Sequence, residues 1–577
     1  MAAAGERQSN PGAGSKMRGC GIITSLLLLG VTYTAAQGLT EVSMGRFTDI
    51  TLNVSSPVEF VLRNIPSNIS FILIQVHTQY NNITLSISKI PSVNDSVTGV
   101  DPGLLTALIT NQTLCTWYLE TTSPDPLLAS AITIPFTETD PIPGGCNLEF
   151  SLDVDPNVYL QYNLYETVIM FAPANLGHAR EETPPACDVQ MGQGSRWRLQ
   201  YDVYQYFLPE NNLNDSDLLA HLQKMTLTPD ITANGVKLAT LTSSDRTTMS
   251  FSSVPGQGVI YNVVVRDPVL NTSAAYVPVH TYACSFTDPM DNCRTLGQVS
   301  TKVFFTVCAI FGLFICFFGH RFLKTGFFSM GFIIFGFFMF LLLTSFTQLN
   351  HDARLSLSAL MGVVGGLLLV AYWWRFGCVY LCVLLVGLVL GFLVAATVFF
   401  TPIGDYSTFR NDSIYWLTFT CIALLVPAFM LPIPKVLNIL SCGVVGSYTL
   451  VLAIDSYLYT SLSYITLNVL KRALNRDFST AYSSVPFQKN DFIIMAVWVV
   501  LAVSGVITQF CRERERPRFP PAPYLIWKRD RERRITNILD PSYHTPPLKD
   551  RIRANLARIR RFFRKEQSLG ERTPLLL

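Results

Sequence analysis

GCVYLCVLLVGLVLGFLVAATVFF, residues 377–400, is an unbroken apolar run without one charged side chain. About 20 residues of helix cross the ~30 Å of hydrocarbon in a bilayer. Lipid offers no partner for backbone N–H and C=O groups, so a helix, which satisfies its own, is the structure this run must take. Six further stretches of the same kind lie near 303–320, 326–346, 355–374, 415–431, 436–457 and 492–510. Seven spans therefore occupy 303–510, with 37–302 before them and a tail at 511–577.

The segment before the spans has another character. Ile83, Leu85 and Ile87 alternate with Thr84, Ser86 and Ser88, the period of a half-buried strand. Leu199, Tyr201, Val203 and Gln205 repeat the pattern, as do Val259, Tyr261, Val263 and Val265. The short apolar run Ile69 to Val76 reads as a buried strand. Pro143-Gly144-Gly145, Asp155-Pro156-Asn157 and Pro255-Gly256 punctuate these runs as turns. One helix is expected after Asn214, with Leu218, Leu219, Leu222 and Met225 on one face and Asp215 or Ser216 as cap. Strands at this spacing suggest sandwiches. The expected fold is a multi-domain membrane protein, a β-sandwich-type ectodomain followed by a seven-helix all-α transmembrane bundle. Its parts are a signal peptide (1–36), two β-rich ectodomains (37–190 and 195–285), a stalk (286–302), the bundle (303–510) and a basic tail (511–577). The joint between the β-domains is placed at 187–195.

Lys16 and Arg18, the apolar Ile22 to Val31 and the small residues Thr34-Ala35-Ala36 form a secretory signal with cleavage before Gln37. An uncleaved anchor is the alternative, and Met17 rivals Met1 as the start. Seven sequons precede the first span, at Asn53, Asn68, Asn82, Asn94, Asn111, Asn214 and Asn271, and Asn411 adds an eighth. Together they point to a lumenal or extracellular side, where disulfides are permitted. Of 13 cysteines, five lie in the ectodomain: Cys115, Cys146, Cys187, Cys284 and Cys293. The count is odd, so one is free or pairs between chains. The expected pairs are Cys284–Cys293 and Cys115–Cys146.

Charge supports one orientation. The tail carries 18 basic and 8 acidic residues, a net of +10 in a chain whose net charge is +3. His320, Arg321 and Lys324, then Arg375, then Lys435 fall on the same side as the tail, which fits the positive-inside rule with a cytoplasmic C-terminus. The loop at 458–490 is the exception, because it holds Lys471, Arg472 and Arg476 on the other side. Tyr464 to Arg472 within it reads as a surface-lying amphipathic helix. In the tail, Arg516 to Pro523 is Pro-rich and extended. Leu548, Ile552, Leu556, Ile559 and Phe563 recur at helical spacing among arginines, a helix suited to the membrane surface or to a protein groove. Nucleic acid is not an expected partner, since the basic segment directly follows a span.

Chemistry-bearing patterns are sparse. The seven histidines show no paired spacing, and there is no His-Glu-x-x-His, Gly-x-Ser-x-Gly or phosphate loop. An enzyme is not expected, nor a cofactor or metal. The third span ends Trp373-Trp374-Arg375-Phe376 and the seventh has no proline, unlike receptors coupled to G proteins. Asp455 lies near the outer end of a span, and Arg375 at an edge. Intramembrane charge is costly and marks function by default, so a channel or transporter using the glycine-rich bundle is the alternative reading. For Asp455 the plainer account is exposure at the helix mouth, and for Arg375 interfacial anchoring. Gly362-x3-Gly366 and Gly387-x3-Gly391, with Gly443-x3-Ser447, allow close helix approach within the chain or in a dimer. Finally, Glu571-Arg572-Thr573-Pro574-Leu575-Leu576 has the acidic dileucine form, whose acid and leucines are read by clathrin adaptors. It predicts plasma-membrane residence with endosomal and lysosomal cycling.

Several stretches carry a resemblance: Cys115-Thr-Trp-Tyr-Leu, Pro143-Gly-Gly-Cys-Asn-Leu-Glu-Phe, Ser195-Arg-Trp-Arg-Leu-Gln-Tyr-Asp-Val-Tyr-Gln-Tyr-Phe-Leu-Pro-Glu, Trp373-Trp-Arg-Phe-Gly, Asn537-Ile-Leu-Asp-Pro-Ser-Tyr-His and Glu571-Arg-Thr-Pro-Leu-Leu-Leu. By these the whole chain resembles the transmembrane 7 superfamily member 3 family, and its bundle is similar to that of transmembrane protein 198. The resemblance implies a cell-surface glycoprotein with a pro-survival role that attenuates cellular (ER) stress, and no catalytic residues. The function expected is that of a non-catalytic, multi-pass cell-surface glycoprotein with a partner-binding ectodomain and a trafficking tail. Its expected partners are membrane lipids, an extracellular or lumenal protein and clathrin adaptors.

Overall fold

The computed structural model describes residues 39–53, 57–188, 194–288, 291–475, 477–514, 519, 523–536 and 548–562. The expected signal peptide and the Glu571, Leu575 and Leu576 motif lie outside the described residues.

The first β-domain has strands β1 (Leu39–Glu41), β2 (Thr48–Leu52), β3 (Val58–Arg63), β4 (Ile69–His77), β5 (Ile83–Ser86), β6 (Ser96–Gly99), β7 (Gly103–Ala107), β8 (Leu114–Thr121) and β9 (Leu127–Thr137). They form two sheets, ordered β1-β3-β8-β5-β6 and β2-β9-β4-β7. Between the sheets lie Phe60, Ile72, Ile74, Val76 and Trp117. The indole of Trp117 donates to Thr106 Oγ1 at 2.9 Å, so its one polar atom is satisfied.

All nine residues of β4 are buried. A strand points alternate residues to opposite faces. Ile72, Ile74 and Val76 enter the first domain's core, whereas Phe71 and Leu73 enter the core of the second. A strand covered on both faces reads as a continuous apolar run, which is how Ile69 to Val76 reads.

The second domain has β10 (Val158–Tyr162), β11 (Glu166–Phe171), β12 (Gln200–Phe207), α1 (Asp215–Gln223), α2 (Thr228–Asn234), β13 (Val236–Thr242), β14 (Thr248–Ser252), β15 (Val259–Asp267), β16 (Thr272–Ala275) and β17 (Val279–Thr281). One sheet is β10-β11-β14; the other is β13-β12-β15-β16, with β17 also on β15. β11 lies before the expected joint at 187–195 and β14 after it, yet they pair from Glu166↔Ser252 to Met170↔Thr248. That joint is therefore internal to one sandwich. Helix α1 buries Leu218, Leu219 and Leu222, and Asn214 rather than Asp215 or Ser216 stands at its N-cap.

The two domains share an apolar interface edged by polar contacts. Phe71, Leu73 and Phe136 meet Ile142, Val158 and Phe171. Each large apolar side chain buried this way contributes ~2 kcal/mol. Asn157 clamps the approach: its Oδ1 accepts from Gly103 N at 2.8 Å and its Nδ2 donates to Gly103 O at 2.9 Å. A Cβ at Gly103 would collide with Val277, so the closeness needs glycine there.

The disulfides are Cys146–Cys187 and Cys284–Cys293. The second is as expected. The expected Cys115–Cys146 bridge is not formed: Cys115 is a buried free thiol on β8 in the first domain's core, and Cys146 sits in the second domain with its N–H on Pro173 O. The expected stalk is tied down as well, since Leu296 and Phe286 pack on the second domain beside the Cys284–Cys293 loop.

The spans are α3 (Val299–Phe318), α4 (Leu323–Phe346), α5 (His351–Phe376), α6 (Val379–Phe400), α7 (Asp412–Met430), α8 (Pro434–Leu458) and α10 (Lys489–Glu513), with the short α9 (Tyr464–Leu474) between the last two. In the tail are α11 (Pro523–Thr536) and α12 (Leu548–Phe562). The glycines sit at helix contacts within the chain. Gly362 and Gly366 face Phe332 and Phe328 of α4, Gly387 faces Leu437 and Pro427, and Gly391 abuts the Ala423 carbonyl of α7. Small residues let these backbones approach closely. α6 and α8 are the most enclosed helices; α3, α7 and α10 expose most of their apolar surface.

Candidate functional site

Two seams organise the molecule. The first lies between the β-domains. His77 ends β4, Asp101 precedes β7 and His280 lies on β17. Asp101 Oδ1 is 2.8 Å from His77 Nδ1, and Asp101 Oδ2 is 2.8 Å from His280 Nδ1. The backbone N–H of His280 also donates to Oδ2, at 3.1 Å. His280 Nε2 faces the Gln79 carbonyl at 2.9 Å. Both ring nitrogens of His280 thus face acceptors, so both must carry protons, and the ring is an imidazolium. Burial alone would push its pKa down, but the Asp101 carboxylate outweighs burial and raises it. Burial would likewise raise Asp101, yet His280 first and then His77 bring it to about 2. His77 Nε2 and both side-chain polar atoms of Gln75, two residues before it, are buried without a protein partner.

The second seam joins the ectodomain to the bundle. The loop after α9 reaches up to the free edge of β14. Tyr482 N–H donates to Ser250 O at 2.9 Å, and Ser252 N–H donates to Tyr482 O at 2.8 Å. Tyr482 is therefore an added strand residue, paired parallel with Phe251. Gln488 bonds to the Leu208 carbonyl at 2.9 Å and accepts from Glu210 N at 2.8 Å. Asp491, in the first turn of α10, accepts from Ser461 N and Oγ, both at 2.6 Å, and so fixes the turn into α9.

Lys471 of α9 is buried at this seam. Its Nζ donates to Ser252 Oγ at 3.0 Å and to the Ser253 carbonyl at 2.7 Å. The rings of Tyr464 and Phe478 lie 5.0 and 5.9 Å from Nζ, in cation–π range. Among the described residues no carboxylate lies within ion-pair distance of it. Burial pushes this ammonium down to about 7. Glu166 of β11, in register with Ser252 of β14, leaves Oε2 buried without a partner, while its Oε1 accepts from Asn475 Nδ2 at 3.2 Å. The next residue, Arg472, is fully engaged: it donates to Asp412 Oδ1 at 3.0 Å and to the Phe409 carbonyl at 2.6 Å, and stacks 3.8 Å over Tyr415. Beside it a narrow cleft opens between α6, α7 and α9, lined by Phe399, Asp405, Phe409, Asn468 and Tyr482.

α9 is the amphipathic helix expected at Tyr464 to Arg472, but it is covered on both faces rather than lying on the surface. Asp455 is buried, not exposed at a helix mouth, and its carboxylate accepts from Thr460 Oγ1. Arg375 lies 4.1 Å over the ring of Tyr524 in α11, an aromatic anchor as expected but with a partner from the tail. All eight sequon asparagines are exposed. Asn411 also caps α7, its Oδ1 accepting from Ser413 N at 3.0 Å.

Sequence reasoning missed His77, Asp101, His280, Glu166 and Tyr482, and saw Lys471 only as a loop charge. Two signals were present. Gln75 and His77 are polar residues two apart in an apolar strand, which marks a face that meets something other than its own core. Tyr464, Asn468 and Lys471 share one face of α9, a polar stripe beside buried Ile465 and Val469.

Comparison with known proteins agrees with this division. The family model described as TM7SF3-like, N-terminal immunoglobulin-like domain, matches residues 38–136. The TM7SF3-like, second immunoglobulin-like domain, matches 141–287, and the TM7S3/TM198-like domain matches 305–510. Proteins named transmembrane 7 superfamily member 3 are similar over 94% of this chain. The mouse (Mus musculus) and rat (Rattus norvegicus) proteins are 59% identical over 96% of their own length, and the human (Homo sapiens) protein is 58% identical over 95%.

Proposed function

The chain belongs to the transmembrane 7 superfamily member 3 family and is a multi-pass membrane protein, and from that premise we propose that it acts without catalysis, as a cell-surface glycoprotein whose ectodomain binds a protein partner and passes the event to the bundle. One observation supports this above others: the bundle's own loop completes the edge of β14, so the ectodomain is hydrogen-bonded to the spans rather than tethered by a stalk. In this reading the ectodomain is outside, the tail is cytoplasmic, the leader is cleaved and the eight sequons carry glycans. Exposure of all eight asparagines is consistent with that. The survival and stress-attenuating role implied by the resemblance is the cellular output we assign. Glu571, Leu575 and Leu576 would set residence by engaging clathrin adaptors.

The test is proximity labelling on cells from peroxidase fused to the ectodomain, against a single-pass glycoprotein control. A reproducible protein partner specific to the ectodomain is expected; labelling no different from the control would sink the reading. In the same cells, Leu575→Ala with Leu576→Ala should raise surface biotinylation and slow uptake. Conduction through the bundle would replace this reading if purified chain in liposomes carried an ion flux that Asp455→Ala abolished.

A further inference from the structure

Helix α11 begins at Pro523, and its first turns are held on the end of α5. Tyr524 packs 5.5 Å from Trp374, lies under the Arg375 guanidinium at 4.1 Å, and meets Trp527 at 5.6 Å. Arg531 in turn lies 5.3 Å over Trp527. This chain of rings and cations fixes α11 where α5 leaves the membrane, the depth at which tryptophan and tyrosine mark the lipid–water interface. Leu525, Ile526 and Trp527 are nonetheless exposed. Next to them the sequence Lys528-Arg529-Asp530-Arg531-Glu532-Arg533-Arg534 sets five basic residues against two acidic ones. Lys528, Arg529, Arg531 and Arg533 are exposed as well. Lys528 lies 3.7 Å from Glu532 one turn on, in a pair open to solvent. The apolar residues fill the first turn of α11 beside the end of α5 and the basic ones the turns after it, so the helix is divided along its length, an apolar end next to a span and a charged end beyond it.

We propose that α11 is a membrane-surface helix that binds anionic phospholipid headgroups of the leaflet on the tail side, with Arg375 as part of the same cationic site. Leu525, Ile526 and Trp527 enter the acyl boundary while the basic run meets the phosphates. This is separate from α12, and it does not depend on what the ectodomain binds. Charge selects the occupant: an anionic leaflet attracts such a segment, and a neutral one does not.

The test uses the full chain in nanodiscs of phosphatidylcholine, with and without phosphatidylserine, read by amide hydrogen exchange of residues 523–536. Exchange should be about tenfold slower in the anionic discs, as a few engaged basic residues would give, and the difference should shrink in high salt. Arg529→Glu with Arg531→Glu and Arg533→Glu should abolish the difference, and the corresponding lysine variants should keep it. Exchange of α5 should be unchanged throughout, which shows that the bundle is intact. Equal exchange in both discs would overturn the proposal. So would protection produced by inorganic phosphate in neutral discs, because that would make the ligand a soluble anion.

Discussion

At the seam between the two β-domains, the His280 imidazolium faces a carboxylate at 2.8 Å and a carbonyl at 2.9 Å. At the seam between ectodomain and bundle, the Lys471 ammonium faces a hydroxyl, a carbonyl and two rings. Both cations are buried, but only the first has a counter-charge. A buried charge that is paired and hydrogen-bonded is costly to disturb; one without a counter-charge is costly to keep. The first seam therefore behaves as a weld, and the second as a joint that holds through shape and backbone hydrogen bonds against its own buried charge. A protein that passes an event from ectodomain to spans would have its movable element at the second.

The largest effect should come from the weld. Asp101→Ala leaves the His280 cation buried with no counter-charge, and breaking such a pair costs ~3–5 kcal/mol. Unfolding of the full chain in detergent, read from hydrogen exchange of β4 and β17, should show that loss, while exchange around Tyr482 stays close to wild type. A loss below ~1 kcal/mol would mean that the two domains do not depend on the charge.

Lys471→Met should act in the opposite direction. Methionine keeps the length of the side chain and removes the charge. The gain from no longer burying an ammonium is offset by a Ser253 carbonyl left without its donor. A net stabilisation of docking by about 1–3 kcal/mol is expected, seen as slower exchange of the Ser250 and Ser252 amides. Faster exchange would mean that the ammonium is compensated after all, and the contrast between the seams would fail.

pH should separate the seams by sign. Lys471 titrates at about 7 when docked and at 10.5 when free. The undocked state binds more protons between those values, so docking strengthens as pH rises from about 7 to 10.5 and is level below about 7. His280 is raised above its ordinary 6.5, so its contribution is complete below 6.5 and is lost as pH rises through the raised value. Asp101 contributes fully above 3.8 and loses this only as pH falls toward about 2. As pH rises above 6.5 the weld should weaken, and above about 7 the joint should tighten, each by at most about 1.4 kcal/mol per pH unit. Hydrogen exchange, corrected for its intrinsic pH dependence, should diverge at the two seams; parallel trends would break the comparison.

What was legible in the sequence follows from which forces act locally. Seven spans could be read because lipid demands long apolar helices wherever they occur. β4 could be read as a buried strand, but not as a strand serving two cores, since that depends on which domain covers its second face. The Cys115–Cys146 pairing failed because a disulfide needs two Cα atoms within about 7 Å, and the chain puts those cysteines in different domains. The loop at 458–490 broke the charge pattern of the other loops for a physical reason. Lys471 is consumed by the ectodomain and Arg472 by Asp412, so neither is a free loop charge. The seams themselves were not legible, because His77, Asp101 and His280 are distant in sequence, and nothing in their spacing brings them together.

The smallest expected effect tests the claim that the joint lacks an ion pair. Glu166 and Ser252 are register partners, and Lys471 donates to Ser252, so Glu166 and Lys471 approach the same place from two sides. If they do not pair, each contributes separately. Glu166→Gln keeps an oxygen for Asn475 and removes a buried charge whose second oxygen has no partner. On its own it should change docking by less than about 1 kcal/mol. Combined with Lys471→Met in a double-mutant cycle, the coupling should be within ~0.5 kcal/mol, the scatter of independent sites. A close pair in a dry setting would instead couple by about 1.5 kcal/mol or more. That outcome would show Lys471 to be neutralised by Glu166 when docked, and would turn the joint into a second weld. The cycle is informative because both variants preserve side-chain length, so a coupling reports the lost charges and their hydrogen bonds and not a change of volume.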